Sequence, residues 1–160
     1  MKKNVLFVCT GNSCRSVMAE WFFRHLVADR ADEFLVGSAG IAALDGCLAS
    51  PQTLRVMREQ EIDISSHRSR KITAEMAHAA DKIFVMEVMH KEIILKAWPD
   101  LVKKVHLLAE YSSDKLQKKV EINIPDPIGL TDDFYNNVFE VISDCTRQVA
   151  AEMGVKKGDL

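Results

Sequence analysis

The chain has 160 residues, enough for one domain with a hydrophobic core and too few for two ordinary domains. Hydrophobic residues make up 48% of it and charged residues 28%, as in typical globular proteins. The net charge of −2 gives no indication of a nucleic-acid or membrane partner, and no stretch approaches the roughly 20 apolar residues of a membrane helix. We therefore expect a cytoplasmic protein that binds neither.

In chain order, residues 5–8 form an apolar run that predicts a buried strand, and residues 16–29 carry two apolar rows that predict a buried helix. A second strand is predicted at residues 34–36, ended by Gly37-Ser38-Ala39-Gly40. Ser50 as N-cap and Pro51 in the first turn then predict a helix to about Gln60.

In the second half, the predicted strands are residues 83–86 and 105–108, and the predicted helices are 73–79, 88–97 and one capped by residues 131–133. One face of that last helix is expected to carry Phe134, Val138, Val141, Cys145 and Val149. Alternating strands and helices predict a single-domain α/β fold, a parallel sheet of four strands with helices on both faces. We assign the domain to residues 1–155 and a polar tail to 156–160.

The cysteines are Cys9, Cys14, Cys47 and Cys145, and no CxxC pair occurs. Without a secretory signal they are expected to be reduced, and structural zinc is not expected. We predict no metal and no cofactor.

The segment after the first strand is predicted to be a phosphate-binding loop. A loop between a strand end and a helix N-terminus presents backbone N–H groups and the helix dipole to an anion. Gly11 and Asn12 tolerate the left-handed backbone that such a loop needs. The predicted substrate-binding residues are Thr10, Gly11, Asn12, Ser13, Cys14 and Ser16.

Cys9 lies at the floor of this loop, where the N–H groups, the helix N-terminus and Arg15 all favour its thiolate. The thiolate is the nucleophile, and the planar fork of Arg15 matches two oxygens of a tetrahedral oxyanion. Ser16 is placed to donate a hydrogen bond to the sulfur. The alternative is a buried structural thiol beside a solvated arginine.

Phosphoryl transfer also needs a proton for the leaving oxygen. Asp126, between Pro125 and Pro127, is the candidate general acid because the prolines stiffen its loop. Asp-Pro is also common in simple turns, so these residues alone leave both interpretations open.

Taken together, these motifs resemble the low-molecular-weight protein tyrosine phosphatases. The residues that carry the resemblance are Val8-Cys-Thr-Gly-Asn-Ser-Cys-Arg-Ser16, Ser38-Ala39-Gly40, His67 and Asp126-Pro127. The resemblance implies a four-stranded parallel sheet and hydrolysis of protein phosphotyrosine through a phosphocysteine on Cys9, with Arg15 as phosphate clamp and Asp126 as general acid. It also implies that Asn12, Ser16, Ser38 and His67 hold the loop in shape, and that the partner is a phosphorylated protein.

The chain departs from that family at three places. Val17 replaces a frequent proline, and Leu44 and Ile128-Gly129 replace frequent aromatic residues of the pocket wall. We therefore expect intact phosphate chemistry and an altered wall, formed by Leu44 and Ile128.

Three other functions remain open at this point. Ser13 and Ile128-Gly129 are similar to the matching segments of protein arginine phosphatases. The chain also resembles the thioredoxin-coupled arsenate reductases in the phosphate loop and in residues 63–67. Those enzymes carry a cysteine pair after the third strand, which this chain lacks. The third alternative is a phosphate-binding module without activity.

Cys14 either packs under the loop or captures an oxidised Cys9 as a disulfide.

Overall fold

The structure, a computed structural model, describes residues 1–114 and 122–155. Four parallel strands form one sheet in the order β2-β1-β3-β4. The strands are β1 Lys3–Cys9, β2 Phe34–Gly40, β3 Lys82–Val85 and β4 Val105–Leu107. The predicted fold class is therefore confirmed. The proposed tail, residues 156–160, lies outside the described residues.

Five α-helices occur in the described part of the chain. They are α1 Arg15–Leu26, α2 Pro51–Glu59, α3 Ala74–Ala79, α4 Val88–Ala97 and α5 Asp132–Glu152, with short 3-10 helices at Ala28–Arg30, Pro99–Lys103 and Leu108–Tyr111. Ser50, Thr73 and Thr131 cap α2, α3 and α5 by accepting a backbone N–H in the first turn. No helix within residues 1–114 and 122–155 is long and apolar enough to cross a membrane.

Both faces of the sheet are covered. Val5 and Phe7 of β1 pack with α1, α2 and α5, whereas Leu6 and Val8 pack with α3 and α4. The uninterrupted apolar run of β1 follows from this, because a strand buried on both faces has no solvent side to alternate with.

Three local predictions were wrong. Helix α1 ends at Leu26, and a separate 3-10 helix follows at Ala28–Arg30. β2 does not end before Gly37 but runs to Gly40, since all seven of its residues pair with β1. On α5, Val141 is exposed and Phe134 is only partly buried. The buried face of α5 comprises Tyr135, Val138, Phe139, Ile142, Ser143, Cys145, Thr146, Val149 and Ala150.

β2 is an edge strand whose outward carbonyls are occupied by arginine side chains. Arg24 donates to the carbonyl of Val36 at 2.6 Å, and Arg70 donates through Nε to that of Ser38 at 2.9 Å. Backbone bonds from Gly40 to Arg70 and from Ile72 to Gly40 cover the end of the strand.

Strand order positions the site. β1 is flanked by β2 on one side and β3 on the other, so the loop after β1 lies where the strand order changes direction. In open α/β sheets, ligands bind at the carboxyl ends of the strands at such a point.

Candidate active site

The loop after β1 is short and tight. β1 ends at Cys9 and α1 begins at Arg15, so five residues make the connection. Asn12 has a φ of 53° and adopts the left-handed backbone, as predicted. Gly11, which would also tolerate this conformation, does not adopt it. One left-handed residue is enough to turn the loop.

The sulfur of Cys9 is buried and receives two polar contacts. The backbone N–H of Asn12 donates to Cys9 Sγ at 3.3 Å, and Ser16 Oγ lies 3.0 Å from the same atom. Ser16 Oγ in turn accepts from Asn12 Nδ2 at 2.8 Å. That bond leaves the Ser16 proton available to donate to the sulfur.

Asn12 is the centre of a buried network that supports the loop. Its Nδ2 also donates to Ser38 Oγ at 2.8 Å, and its Oδ1 accepts the Arg70 N–H at 3.0 Å. Nε2 of His67 lies 2.9 Å from the Asn12 carbonyl. Ser38 donates to Glu20 at 2.5 Å. The structure thus brings Ser38 and His67 to the loop, together with Glu20 and Arg70, which sequence reasoning missed.

Arg15 is 1% exposed, and both terminal nitrogens of its guanidinium have polar partners. Nη1 donates to the Ile124 carbonyl at 2.8 Å and lies 3.0 Å from Glu87 Oε2. Nη2 lies 3.1 Å from Asp126 Oδ2 and 3.4 Å from Thr10 Oγ1. The predicted arginine and the predicted acid are therefore in direct contact.

Asp126 is half-exposed, and its other oxygen accepts the Ile128 N–H at 3.1 Å. This Asx-type turn fixes the carboxyl group beside Arg15. The turn role and the acid role of Asp126 are therefore compatible.

Glu87 and His90 belong to the same site, although sequence reasoning missed both. Glu87 is the N-cap of α4, and its N–H donates to His90 Nδ1 at 3.1 Å. His90 is fully buried, and its Nε2 lies 2.8 Å from Thr10 Oγ1. Burial, with the nearby charge of Arg15, lowers the pKa of His90 to about 4. The available signal was a glutamate followed three residues later by a histidine after β3.

Cys14 is buried below the loop. Its thiol donates to Ser50 Oγ at 3.3 Å, and Tyr135 Oη and Ser13 Oγ each lie 3.6 Å from its sulfur. Burial raises the pKa of Tyr135 to about 12. These contacts fit the packing role of Cys14, and its redox role stays a prediction.

The two residues predicted to form the pocket wall are exposed, Leu44 at 77% and Ile128 at 56%. Ile128 follows Asp126 closely in the chain, and the Leu44 carbonyl accepts from Ser69 Oγ at 2.5 Å. Their role as a wall stays a prediction.

Gly40, at the end of β2, lies directly against the loop. A Cβ at this position would meet the Thr10 carbonyl oxygen at 2.4 Å and the Asn12 nitrogen at 3.0 Å. Only glycine lets β2 approach the loop this closely.

The fold and the site together define a hydrolase of phosphate monoesters. The chain matches the low molecular weight phosphotyrosine protein phosphatase family over residues 4–158 and belongs to that family. It is 31% identical to the protein-arginine-phosphatase of Bacillus subtilis (strain 168) over 150 residues, 94% of this chain and 96% of the relative. It is 30% identical to the low molecular weight protein-tyrosine-phosphatase Wzb of Escherichia coli (strain K12) over 157 residues, 98% and 99% of the two chains.

Among solved structures, the chain is similar to a cysteine-to-serine mutant of the YwlE arginine phosphatase with a phosphorylated active-site serine. The TM-score is 0.85 at 29% identity, over 98% of this chain and 99% of that one. The relatives therefore include phosphatases named for tyrosine and for arginine, and a phosphorylated enzyme side chain occurs in this fold.

Proposed function

We propose that this protein removes phosphate from phosphotyrosine in proteins through a phosphocysteine on Cys9. The observation that carries the proposal is the convergence of three groups at one strand end. Cys9 Sγ is held by the Asn12 N–H and Ser16, and Arg15 Nη2 contacts Asp126. Nucleophile, anion clamp and proton donor are the parts that this reaction needs.

In the first step, the thiolate of Cys9 attacks phosphorus and the bond to the tyrosyl oxygen breaks. The loop N–H groups and Arg15 bind the phosphoryl oxygens, and Arg15 exchanges its present partner, Asp126, for substrate. Asp126 gives its proton to the leaving oxygen, and tyrosine departs neutral.

In the second step, water attacks phosphocysteine and the sulfur–phosphorus bond breaks. The Asp126 carboxylate takes a proton from that water, which restores the acid for the next turnover. The Ser16 hydroxyl stabilises the departing thiolate, and inorganic phosphate leaves.

We place this activity in the cytoplasm and expect a phosphorylated protein as the substrate. Cys9 is a free thiol, and catalysis by a thiolate needs a compartment that keeps thiols reduced.

Protein arginine phosphatase is the second candidate. It is supported by the similarity to the Bacillus subtilis enzyme and by Ser13, a small hydroxyl residue in the loop. Neither Leu44 nor Ile128 is aromatic, so these two positions do not supply the ring stacking, about 0.5–1.5 kcal/mol, that would favour tyrosine.

The test is a side-by-side assay on phosphotyrosine and phosphoarginine forms of one peptide, with arsenate reduction by thioredoxin as a third arm. We expect release of phosphate from phosphotyrosine by wild type and by Cys47→Ser, the matched control, since Cys47 is exposed. Cys9→Ser should still bind phosphate but not turn over. Normal activity in Cys9→Ser would contradict the mechanism, and preference for phosphoarginine would establish the second candidate.

A further inference from the structure

The hydroxyl of Thr10 is part of a closed ring of polar contacts behind the phosphate loop. The ring runs from Arg15 Nη1 to Glu87 Oε2 at 3.0 Å, from the Glu87 N–H to His90 Nδ1 at 3.1 Å, and from His90 Nε2 to Thr10 Oγ1 at 2.8 Å. It closes from Thr10 Oγ1 to Arg15 Nη2 at 3.4 Å. Thr10 belongs to the phosphate loop and Arg15 is the clamp, so the ring joins α4 to both.

The ring fixes which atoms donate. A backbone N–H only donates, so Nδ1 of His90 must accept from Glu87 and carries no proton. The neutral imidazole then holds its single proton on Nε2. That proton points to Thr10 Oγ1 at 2.8 Å rather than to Glu87 Oε2, which is 3.5 Å away. The lowered pKa of His90, about 4, keeps its imidazole neutral at physiological pH.

Thr10 Oγ1 therefore accepts twice, once from His90 and once from the Arg15 guanidinium, which has no acceptor. A hydroxyl has two lone pairs and one proton, so the proton is left as a donor. Within residues 1–114 and 122–155 no protein group accepts it. The Thr10 hydroxyl belongs to the anion loop. Arg15 Nη2, which donates to this hydroxyl, also contacts Asp126.

We infer that His90 is a positioning residue, which orients the Thr10 hydroxyl as a hydrogen-bond donor to a phosphoryl oxygen of the substrate. The inference rests on the proposed function and deepens it. The chemical group recognised is the phosphoryl dianion, whichever side chain carries it. His90 acts only through Thr10 and does not touch substrate.

The experiment pairs each disruptive variant with a conservative one. His90→Gln keeps an acceptor for the Glu87 N–H and a donor for Thr10, whereas His90→Met fills a similar volume with neither. Thr10→Ser keeps the hydroxyl, and Thr10→Val removes it. His78→Gln, at an exposed histidine on α3, is the control.

Binding of inorganic phosphate is measured by calorimetry, and kcat and KM with p-nitrophenyl phosphate. His90→Met and Thr10→Val should each weaken phosphate binding about 10- to 100-fold, the value of one hydrogen bond to a charged group. His90→Gln, Thr10→Ser and His78→Gln should stay within about threefold of wild type. The double variant His90→Met with Thr10→Val should be no weaker than the weaker single variant, because both remove the same bond.

A purely structural role for His90 predicts a different result. His90→Gln and His90→Met would then lose phosphate affinity equally, and the losses would add in the double variant. Either result overturns the inference. The tautomer is tested separately by side-chain ¹⁵N NMR of His90 between pH 5 and 8. The expected spectrum shows a proton on Nε2 and no titration, and a proton on Nδ1 overturns the inference.

Neither phosphate binding nor the tautomer requires turnover. If wild type binds phosphate with this pattern but does not hydrolyse aryl phosphates, the proposed function fails and the role of His90 stands. If wild type does not bind phosphate, the inference is wrong.

Discussion

At the scale of single residues, the main feature is that the charged groups of the site form ion pairs with one another. Arg15 is almost fully buried and lies between the carboxylates of Glu87 and Asp126. A buried guanidinium without such partners would be strongly destabilising. In the proposed mechanism, phosphate takes the place of one partner, and Asp126, the more exposed carboxylate, is the one that can leave.

Replacing Asp126 therefore has opposite effects on binding and on turnover. Asp126→Asn removes a negative charge next to the anion site, so inorganic phosphate should bind more tightly. Asp126→Ala should lose about 10²–10⁴ in kcat/KM on phenyl phosphate, because the leaving oxygen has no proton donor. The loss should be much smaller on p-nitrophenyl phosphate, whose leaving group departs without a proton.

Steady-state kinetics on both esters, with phosphate as competitive inhibitor, measure all three effects. Asp132→Asn, at an exposed aspartate at the start of α5, is the control and should behave like wild type. An equal loss of kcat/KM on the two esters would assign Asp126 a structural role instead, because kcat/KM does not include the later hydrolysis of phosphocysteine.

The sequence predicts those site residues that lie in one continuous motif. Cys9, Arg15 and Ser16 lie within one segment of eight residues, and Asp126 is a candidate because two prolines flank it. Glu87 and His90 were missed because their role depends on β3 pairing with β1, which brings the start of α4 next to the loop. In isolation they indicate only a helix cap.

At the scale of elements, the close contact between β2 and the phosphate loop determines the shape of the site. Gly40→Ala places a methyl group 2.4 Å from the Thr10 carbonyl oxygen, which is backbone and cannot rotate away. The loop must shift, so we expect kcat/KM to fall at least about tenfold.

Gly37→Ala on the same strand is the matched variant. Its nearest obstacle, at 2.6 Å, is the end of the flexible Arg70 side chain. Activity should therefore be close to that of wild type, although thermal stability is expected to fall. Equal activity of the two alanine variants would show that the loop tolerates a displaced β2.

Element types were predictable where apolar spacing decides them, and boundaries were not. The end of α1 depends on the 3-10 helix that follows it, and the pairing that carries β2 through Gly40 is a long-range contact with β1. On α5 the error came from following one apolar row, since Phe139 and Ile142 show that the buried face also includes the neighbouring row.

At the scale of the whole molecule, the buried His90 makes stability depend on pH. Its pKa is about 4 in the folded protein and about 6.5 in the unfolded chain. Between these values the unfolded chain binds a proton that the folded protein does not. Stability therefore falls as the pH drops from 6.5 to 4, by no more than about 3 kcal/mol from this group.

Urea denaturation at pH 7 and pH 4.5 tests this dependence. Arg15, Glu87 and Asp126 face His90 and remain in every variant, so their contributions cancel in a comparison. His90→Gln should lose less stability on acidification than wild type, and His78→Gln should lose as much as wild type. Identical losses in wild type and His90→Gln would contradict the prediction.

The arginines on the edge of β2 connect aggregation to activity. A foreign strand can add to this edge only by displacing Arg24 from Val36 and Arg70 from Ser38, so two arginine side chains oppose fibril-like growth of the sheet. Arg24 also pairs with Glu20, which accepts from Ser38, and the Arg70 backbone N–H binds Asn12. We expect a strand that did add here to disturb the network under Cys9, so self-association through this edge should lower activity.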